Sequence, residues 1–249
     1  MLALLVPLAS AASLPAGSMF SLANALDSHE GSASVSSGVT YAPADDGREA
    51  WAQVGVGAQV AITDRLAVGG SGAWWIDDAK TGHVDLRYNV VNRDVFRVAG
   101  WASVGSVLPV GYLSSWGIGA LAEPRHARDY SYQRTQSGMV AYGIALEAGN
   151  DRFTFDTSLP MVWTWTDYNE TPGRWTDLFM YSSAGLTWHL SDRHALRLSS
   201  DAFLGLPTLA YTWTPDHAFI RTTLAANNAL GEPIEYSQVH LTLQGGVRW

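Results

Sequence analysis

Residues 152–166 read RFTFDTSLPMVWTWT, and their apolar and polar side chains take turns. Phe153, Phe155, Leu159, Met161, Trp163 and Trp165 share one parity, while Arg152, Thr154, Asp156, Ser158, Thr164 and Thr166 share the other. A period of two is the signature of a β-strand with unlike faces, and this run is longer than most soluble strands. Pro160 has no N–H for a ladder, so a bulge or an irregular edge is expected there.

The same period recurs. Val54, Val56, Ala58, Val60 and Ile62 alternate with Gln53, Gly55, Gly57, Gln59 and Ala61, and Leu66 to Ile76 continue the pattern after a turn. Val84, Leu86, Tyr88 and Val90 oppose His83, Asp85, Arg87 and Asn89; Phe96, Val98 and Val104 oppose Arg97 and Ser103. Further strands are predicted at 31–42, 112–122, 138–149, 176–190, 194–204 and 236–249, with shorter candidates at 127–134, 207–214 and 217–226. No segment carries a helical stripe.

Short polar turns stand at Thr63-Asp64-Arg65, Asn92-Arg93-Asp94, Gly149-Asn150-Asp151 and Ser191-Asp192-Arg193, while longer stretches such as 43–48 and 168–174 occupy the alternate connections. Tight turns on one rim and longer loops on the other describe an up-and-down antiparallel meander. The interval between the second and third tight turns is wide enough for one more hairpin, turning at Glu123-Pro124-Arg125-His126, or for one long loop. The expected strand number is about 12, within a range of 10–14, and even if both termini share a rim.

Strand number decides which face is wet. Around eight strands already enclose an interior that side chains only just fill, so ten or more with Val, Leu, Phe and Trp inside would leave a void. The apolar face therefore points outward. The opposite face carries Gly, Ala, Ser, Thr and Gln with scattered charges, which suits a polar interior. A soluble sandwich is the alternative, but its outer face would carry more charge. In hydrocarbon all backbone groups must pair internally, which among sheets only a closed barrel achieves. The class is thus all-β, a transmembrane antiparallel β-barrel.

Composition agrees. Charged residues are 15% of the 249, against about 25% in an ordinary soluble domain, while aromatics are 11% and Trp occurs 11 times. Trp74, Tyr88, Trp163, Trp165, Trp188 and Trp249 are the candidate membrane-interface rings, with Trp75, Tyr211 and Trp213 beside them. Cysteine is absent and the net charge is -8, so thiolate chemistry, disulfides and nucleic-acid partners are excluded. Residues 1–11, with Ala9-Ser10-Ala11 before Ala12, read as a signal peptide. Residues 12–30 read as a leader or plug segment, with an extra strand over 17–30 as the alternative, and residues 31–249 as the barrel.

These features resemble those of Gram-negative outer-membrane β-barrel proteins of the porin-like kind, and the resemblance is most specific in the last strand, where Leu241, Leu243, Val247 and Trp249 share the outward parity and Gly245 interrupts it. It implies a location in the cell outer membrane, contact with lipid and lipopolysaccharide, and recognition of the closing strand by the β-barrel assembly machinery.

The inward parity collects candidate pore-lining residues: His83, Asp85, Arg87, Arg97, Glu147, Arg152, Asp156, Asp177, His189, Arg197, Asp201, His240 and Arg248. Both signs occur, so no strong ion preference follows. His83, Asp85 and Arg87 could form a metal or catalytic group on one strand face, or a charge-compensated network. No Gly-x-Ser-x-Gly or His-Glu-x-x-His pattern is present, and no cofactor or metal is called for. The stretch from His126 to Arg134 reads either as a partner-binding loop or as a strand with girdle tyrosines. The leading expectation is a channel for passive diffusion of small polar solutes or ions; the alternatives are a sealed structural, adhesive or assembly barrel and a lipid-modifying enzyme.

Overall fold

A computed structural model of the chain describes residues 29–44, 47–75, 80–93, 95–105, 136–167, 174–180, 183–201, 206–227 and 238–249. They form thirteen β-segments: β1 Gly31–Ala44, β2 Gly47–Ala61, β3 Leu66–Trp75, β4 Lys80–Arg93, β5 Phe96–Gly105, β6 Gln136–Gly149, β7 Phe153–Asp167, β8 Arg174–Met180, β9 Ser183–Ser191, β10 His194–Asp201, β11 Leu206–Trp213, β12 Ala218–Asn227 and β13 Gln238–Arg248. Successive segments pair antiparallel except β8 with β9, and β1 pairs with β13 to close the ring. β8 and β9 lie against successive stretches of β7 and share one strand position. The molecule is a closed 12-strand antiparallel β-barrel, the number the alternation predicts.

Proline at position 160 acts differently from the expected bulge. β7 pairs with β9 up to Ser158↔Ser183 and with β8 from Met161↔Met180, in an unchanged register. The register is the same on both sides of Pro160, so no extra residue is inserted there. Bulges occur elsewhere, at Val90 of β4 and at Leu190 of β9, opposite the His194–Ala195 step of β10. The candidate strands 112–122 and 127–134, the His126–Arg134 stretch and the signal-peptide and leader segments up to residue 28 lie outside the described residues. β5 pairs directly with β6 from Phe96↔Ala148 to Gly105↔Met139, so no strand stands between them.

One turn chemistry recurs along the tight rim. Thr63 Oγ1 accepts the N–H groups of Arg65 and Leu66 at 3.2 and 3.0 Å, Asn150 Oδ1 those of Arg152 and Phe153 at 2.9 Å each, and Ser191 Oγ that of Arg193 at 3.3 Å. Each short side chain supplies an acceptor that the turn backbone lacks. Asp216, at φ 42°, occupies the left-handed region in the β11–β12 turn, which Asp tolerates better than most side chains.

The apolar parity faces outward. Val54, Val56, Leu86, Ile144, Phe155, Leu159, Leu186, Leu198, Leu241 and Leu243 are all exposed, as they are along the other strands. A belt of this extent far exceeds the apolar patches that soluble proteins tolerate, so the exterior is a lipid-facing surface. Near the tight rim, Phe153 stacks on Trp188 with centroids 6.2 Å apart, and Tyr88, Tyr211, Trp213 and Trp249 extend the aromatic ring around the barrel. Trp163 is 54% exposed ten residues further along β7 than Phe153. At roughly 3.3 Å per residue and about 40° of tilt, those two levels are about 25 Å apart, the height of an outer-membrane apolar band. The strands carry Trp74 and Trp165, whose side chains lie outside the described residues.

β13 closes the ring through Trp249, whose N–H donates to Gly31 O at 3.2 Å and whose carbonyl accepts from Gly31 N–H at 3.0 Å. Its indole lies against Gly31, where a Cβ would sit 2.6 Å from the ring. Gly245, which interrupts the apolar series, takes an outward place opposite Val35 and Ile220, and a Cβ there would meet nothing nearer than Phe219 O at 4.0 Å. The interruption is a missing side chain on the lipid face and leaves the strand intact. Ile144→Arg, near mid-belt, is expected to destabilise the barrel by about 2–4 kcal/mol, whereas Gly245→Leu should change stability by no more than about 0.5 kcal/mol. Urea unfolding in lipid vesicles measures both; a soluble fold would treat the two outward positions alike.

Candidate functional site

Long polar side chains on the inner face lie along the wall. Arg197 of β10 extends over β9 to Asp156 of β7, with Nη2 at 2.7 Å from Oδ1, Nη1 on Oδ2, and a further bond from Nη1 to Thr187 Oγ1 at 3.2 Å. What lies beneath the guanidinium is Gly185, at which any Cβ would collide with it. Two parallel bonds between an arginine fork and a carboxylate are strong and directional. Arg87 of β4 reaches over β3, which presents Ala67 and Gly69 there, to Gln59 Oε1 of β2, and its Nε stands 3.5 Å from Asp85. Trp101 of β5 crosses β6 beside Ala141, Gly143 and Ala145, and its Nε1–H donates to Ser158 Oγ of β7 at 3.3 Å.

These three share one construction: a long side chain on one strand, a small residue on the next, and a polar partner on the one after. The small inward residues, expected simply to leave lumen space, also serve as beds on which arginine and tryptophan lie flat. Phe219 repeats the device in apolar form, lying on Gly246 of the neighbouring strand, where a Cβ would sit 2.6 Å from its ring.

Shorter links fill the intervals. Arg97 Nη1 donates to Glu147 Oε1 at 3.0 Å across the β5–β6 pair, and Arg221 Nε to Thr212 Oγ1 at 2.9 Å across β11–β12. Gln244 Nε2 donates to Ser34 Oγ at 3.0 Å, and Thr154 Oγ1 lies 2.9 Å from His189 Nε2. Asp156, Arg197 and Arg221 are each the fourth residue of their strand, on β7, β10 and β12, which all start at the tight rim. Glu147 is 0% exposed and Arg87 and Arg221 1%, so charges this deep depend on one another and on nearby hydroxyls.

Of the residues singled out from the alternation, Asp85, Arg87, Arg97, Glu147, Asp156, His189 and Arg197 are buried on the inner face. Arg152 is instead exposed in the β6–β7 turn, because β7 begins only at Phe153. Arg248, at the rim end of β13, is half-buried and donates from Nη2 to Asp216 O at 2.8 Å. His83, Asp177, Asp201 and His240 stand in described strands, but their side chains lie outside the described residues. Arg221 and Trp101 escaped the sequence reading, whereas Gln59 and Thr154 stand on the inward parity it assigned, without a role of their own. For Arg221 the signal was present in Ile220 and Leu224, which fix the outward parity of β12; Phe219, apolar yet inward, obscured it. Among the described residues no cluster of three or more His, Asp or Glu is placed to hold a metal ion.

No protein-family model matches the chain, and no curated protein matches it in sequence. Solved structures do match in fold. The NanC porin superposes with a TM-score of 0.56 at 8% identity, covering 87% of this chain and 100% of its own. The translocator domain of autotransporter NalP from Neisseria meningitidis gives 0.54 at 12%, covering 92% and 91%. The KdgM porin in complex with disordered oligogalacturonate gives 0.53 at 7%, covering 88% and 99%. Identities this low establish the fold alone, which is that of outer-membrane β-barrels.

Proposed function

We propose that the protein is an outer-membrane channel through which small polar solutes or ions diffuse passively. The observation that carries this reading is the direction of the interior ion pairs. Arg97–Glu147 joins adjacent strands, Arg87–Asp85 stays on one strand, and Arg197–Asp156 spans a single intervening strand. Twelve strands about 4.8 Å apart and tilted about 40° make a backbone cylinder roughly 24 Å across, wider than two facing side chains reach. The pairs therefore line the wall and do not tie opposite walls together. The fold shared with the NanC and KdgM porins supports the same reading. Assembly through the closing strand and contact with lipopolysaccharide belong to this proposal.

Selectivity should be weak. The described inward charges are Arg87, Arg97, Arg197 and Arg221 against Asp85, Glu147 and Asp156, a near balance. Planar-bilayer recording of the folded barrel is expected to show discrete conductance steps, with a reversal potential close to zero in a potassium chloride gradient. A second reading, a sealed barrel, draws on the near-complete burial of Glu147, Arg87 and Arg221. A correctly folded barrel with no conductance would overturn the channel and leave the sealed form standing.

A further inference from the structure

The inner wall divides by the way its polar atoms are engaged. From β4 round to β10 the charges are bound to one another, Asp85 with Arg87, Arg97 with Glu147, and Asp156 with Arg197. From β10 through β13 and β1 to β2 the wall holds a different set. Ser199 Oγ, Thr242 Oγ1, Gln244 Oε1 and Gln59 Nε2 have no hydrogen-bond partner among the described residues. These residues are 2–6% exposed, so each side chain is fixed against the wall. Nearly all buried polar atoms in folded proteins are bonded, and an unbonded one calls for an explanation.

None of the four is charged, and the register sets them in order. Ser199 stands on the ladder line that runs through Thr208 and Ala225 to His240, one inward position on the loop side of Thr242. Gln244 is the next inward position of β13 toward the tight rim, about 7 Å along the strand. The line after that joins Gly246 to Ser34, whose Oγ accepts from Gln244 Nε2 at 3.0 Å. One line further on, Gln59 stands opposite Ser32, which stands opposite Arg248. Hydroxyl, hydroxyl, amide, hydroxyl and amide thus succeed one another from the loop side toward the tight rim, with Gly55 and Gly57 of β2 beside the middle of the run.

The unbonded atoms differ in what they require. Gln244 Oε1 can only accept and Gln59 Nε2 can only donate, whereas the hydroxyls of Ser199 and Thr242 do either. A carboxylate brings acceptors alone and leaves Gln244 unmet; an ammonium brings donors alone and leaves Gln59 unmet. An alcohol group serves both. We propose that this strip is a track for uncharged polyhydroxylated solutes, of the size of a sugar alcohol or monosaccharide. The track rests on the channel reading and names the solute class of that channel. At each step a passing hydroxyl gains a bond without breaking one in the wall, and the regular spacing lets the solute meet one step as it leaves another. Weak binding at several places in succession, in preference to tight binding at one, is the condition for passage.

The test is the swelling of lipid vesicles that contain the folded barrel, with sorbitol as the polyol. The control solute is tetraethylene glycol, which has a similar mass and whose inner oxygens are ether acceptors. The variant Ser199→Ala with Thr242→Val and Gln244→Leu removes three of the unbonded atoms and adds no charge. Sorbitol entry is expected to fall at least about threefold in it, while tetraethylene glycol entry and potassium chloride conductance stay within about 1.5-fold of the natural protein. Unchanged sorbitol entry overturns the track, and so does an equal fall for both solutes, which marks a change of pore width. Absence of conductance and of any solute entry with the natural protein overturns the channel itself, and the track with it. Should the triple variant fail to fold, Thr242→Val is compared with Thr242→Ser: slower sorbitol entry with valine and natural entry with serine support the track, and equal entry through both overturns it.

Discussion

Asp156→Ala lowers the unfolding free energy by about 3–5 kcal/mol in lipid vesicles, because it leaves the Arg197 guanidinium buried without the carboxylate that holds two of its nitrogens. Arg197 keeps its bond to Thr187, which cannot neutralise a cation. The double variant Asp156→Leu with Arg197→Met should regain most of the loss, since removing both charges also removes the penalty of holding either one away from water. Urea titrations of the four combinations give the coupling between the two residues directly. A single-variant loss below about 1 kcal/mol would show that water reaches the pair freely.

The second large effect is expected at a residue with no side chain. Gly185→Val places a branched Cβ in the space filled by the Arg197 guanidinium, so the arginine must leave Asp156 or the β9–β10 ladder must yield. The destabilisation should match that of Asp156→Ala, about 4 kcal/mol, as overpacking and a broken buried pair act together. The two substitutions are expected to be non-additive: on the Asp156→Ala background Gly185→Val should lose much of its effect, because the pair it disrupts is already gone. Full additivity would mean that Gly185 serves backbone conformation alone. In bilayer recordings, displacing Arg197 into the lumen should lower conductance without changing the near-neutral selectivity.

Much of this molecule can be read before it is folded. The period of two in 152–166 sets the faces of β7, and the Thr63, Asn150 and Ser191 turns mark three of the hairpins on one rim. The parity of Leu241, Leu243 and Val247 also survives an interruption at Gly245. These features are local: each depends on residues one to three places apart, and a one-residue slip would turn a whole face from lipid to lumen. Strand number follows from the spacing of such signals and from the width of interior that small polar residues can line.

Partnership across strands was not legible, because it depends on register between segments far apart in the chain. Asp156 and Arg197 are 41 positions apart, and Gln244 and Ser34 are 210. Parity could put all four inside but could not tell which would touch. Pro160 was legible as a missing donor; that no bulge forms there was decided by the unbroken register on either side. Alternation along the chain determined a lipid-facing barrel of about twelve strands, since one face must meet hydrocarbon and the other water. Only closure of the ring decided which charges pair and which lie over glycine, since those depend on which strands become neighbours and in what register.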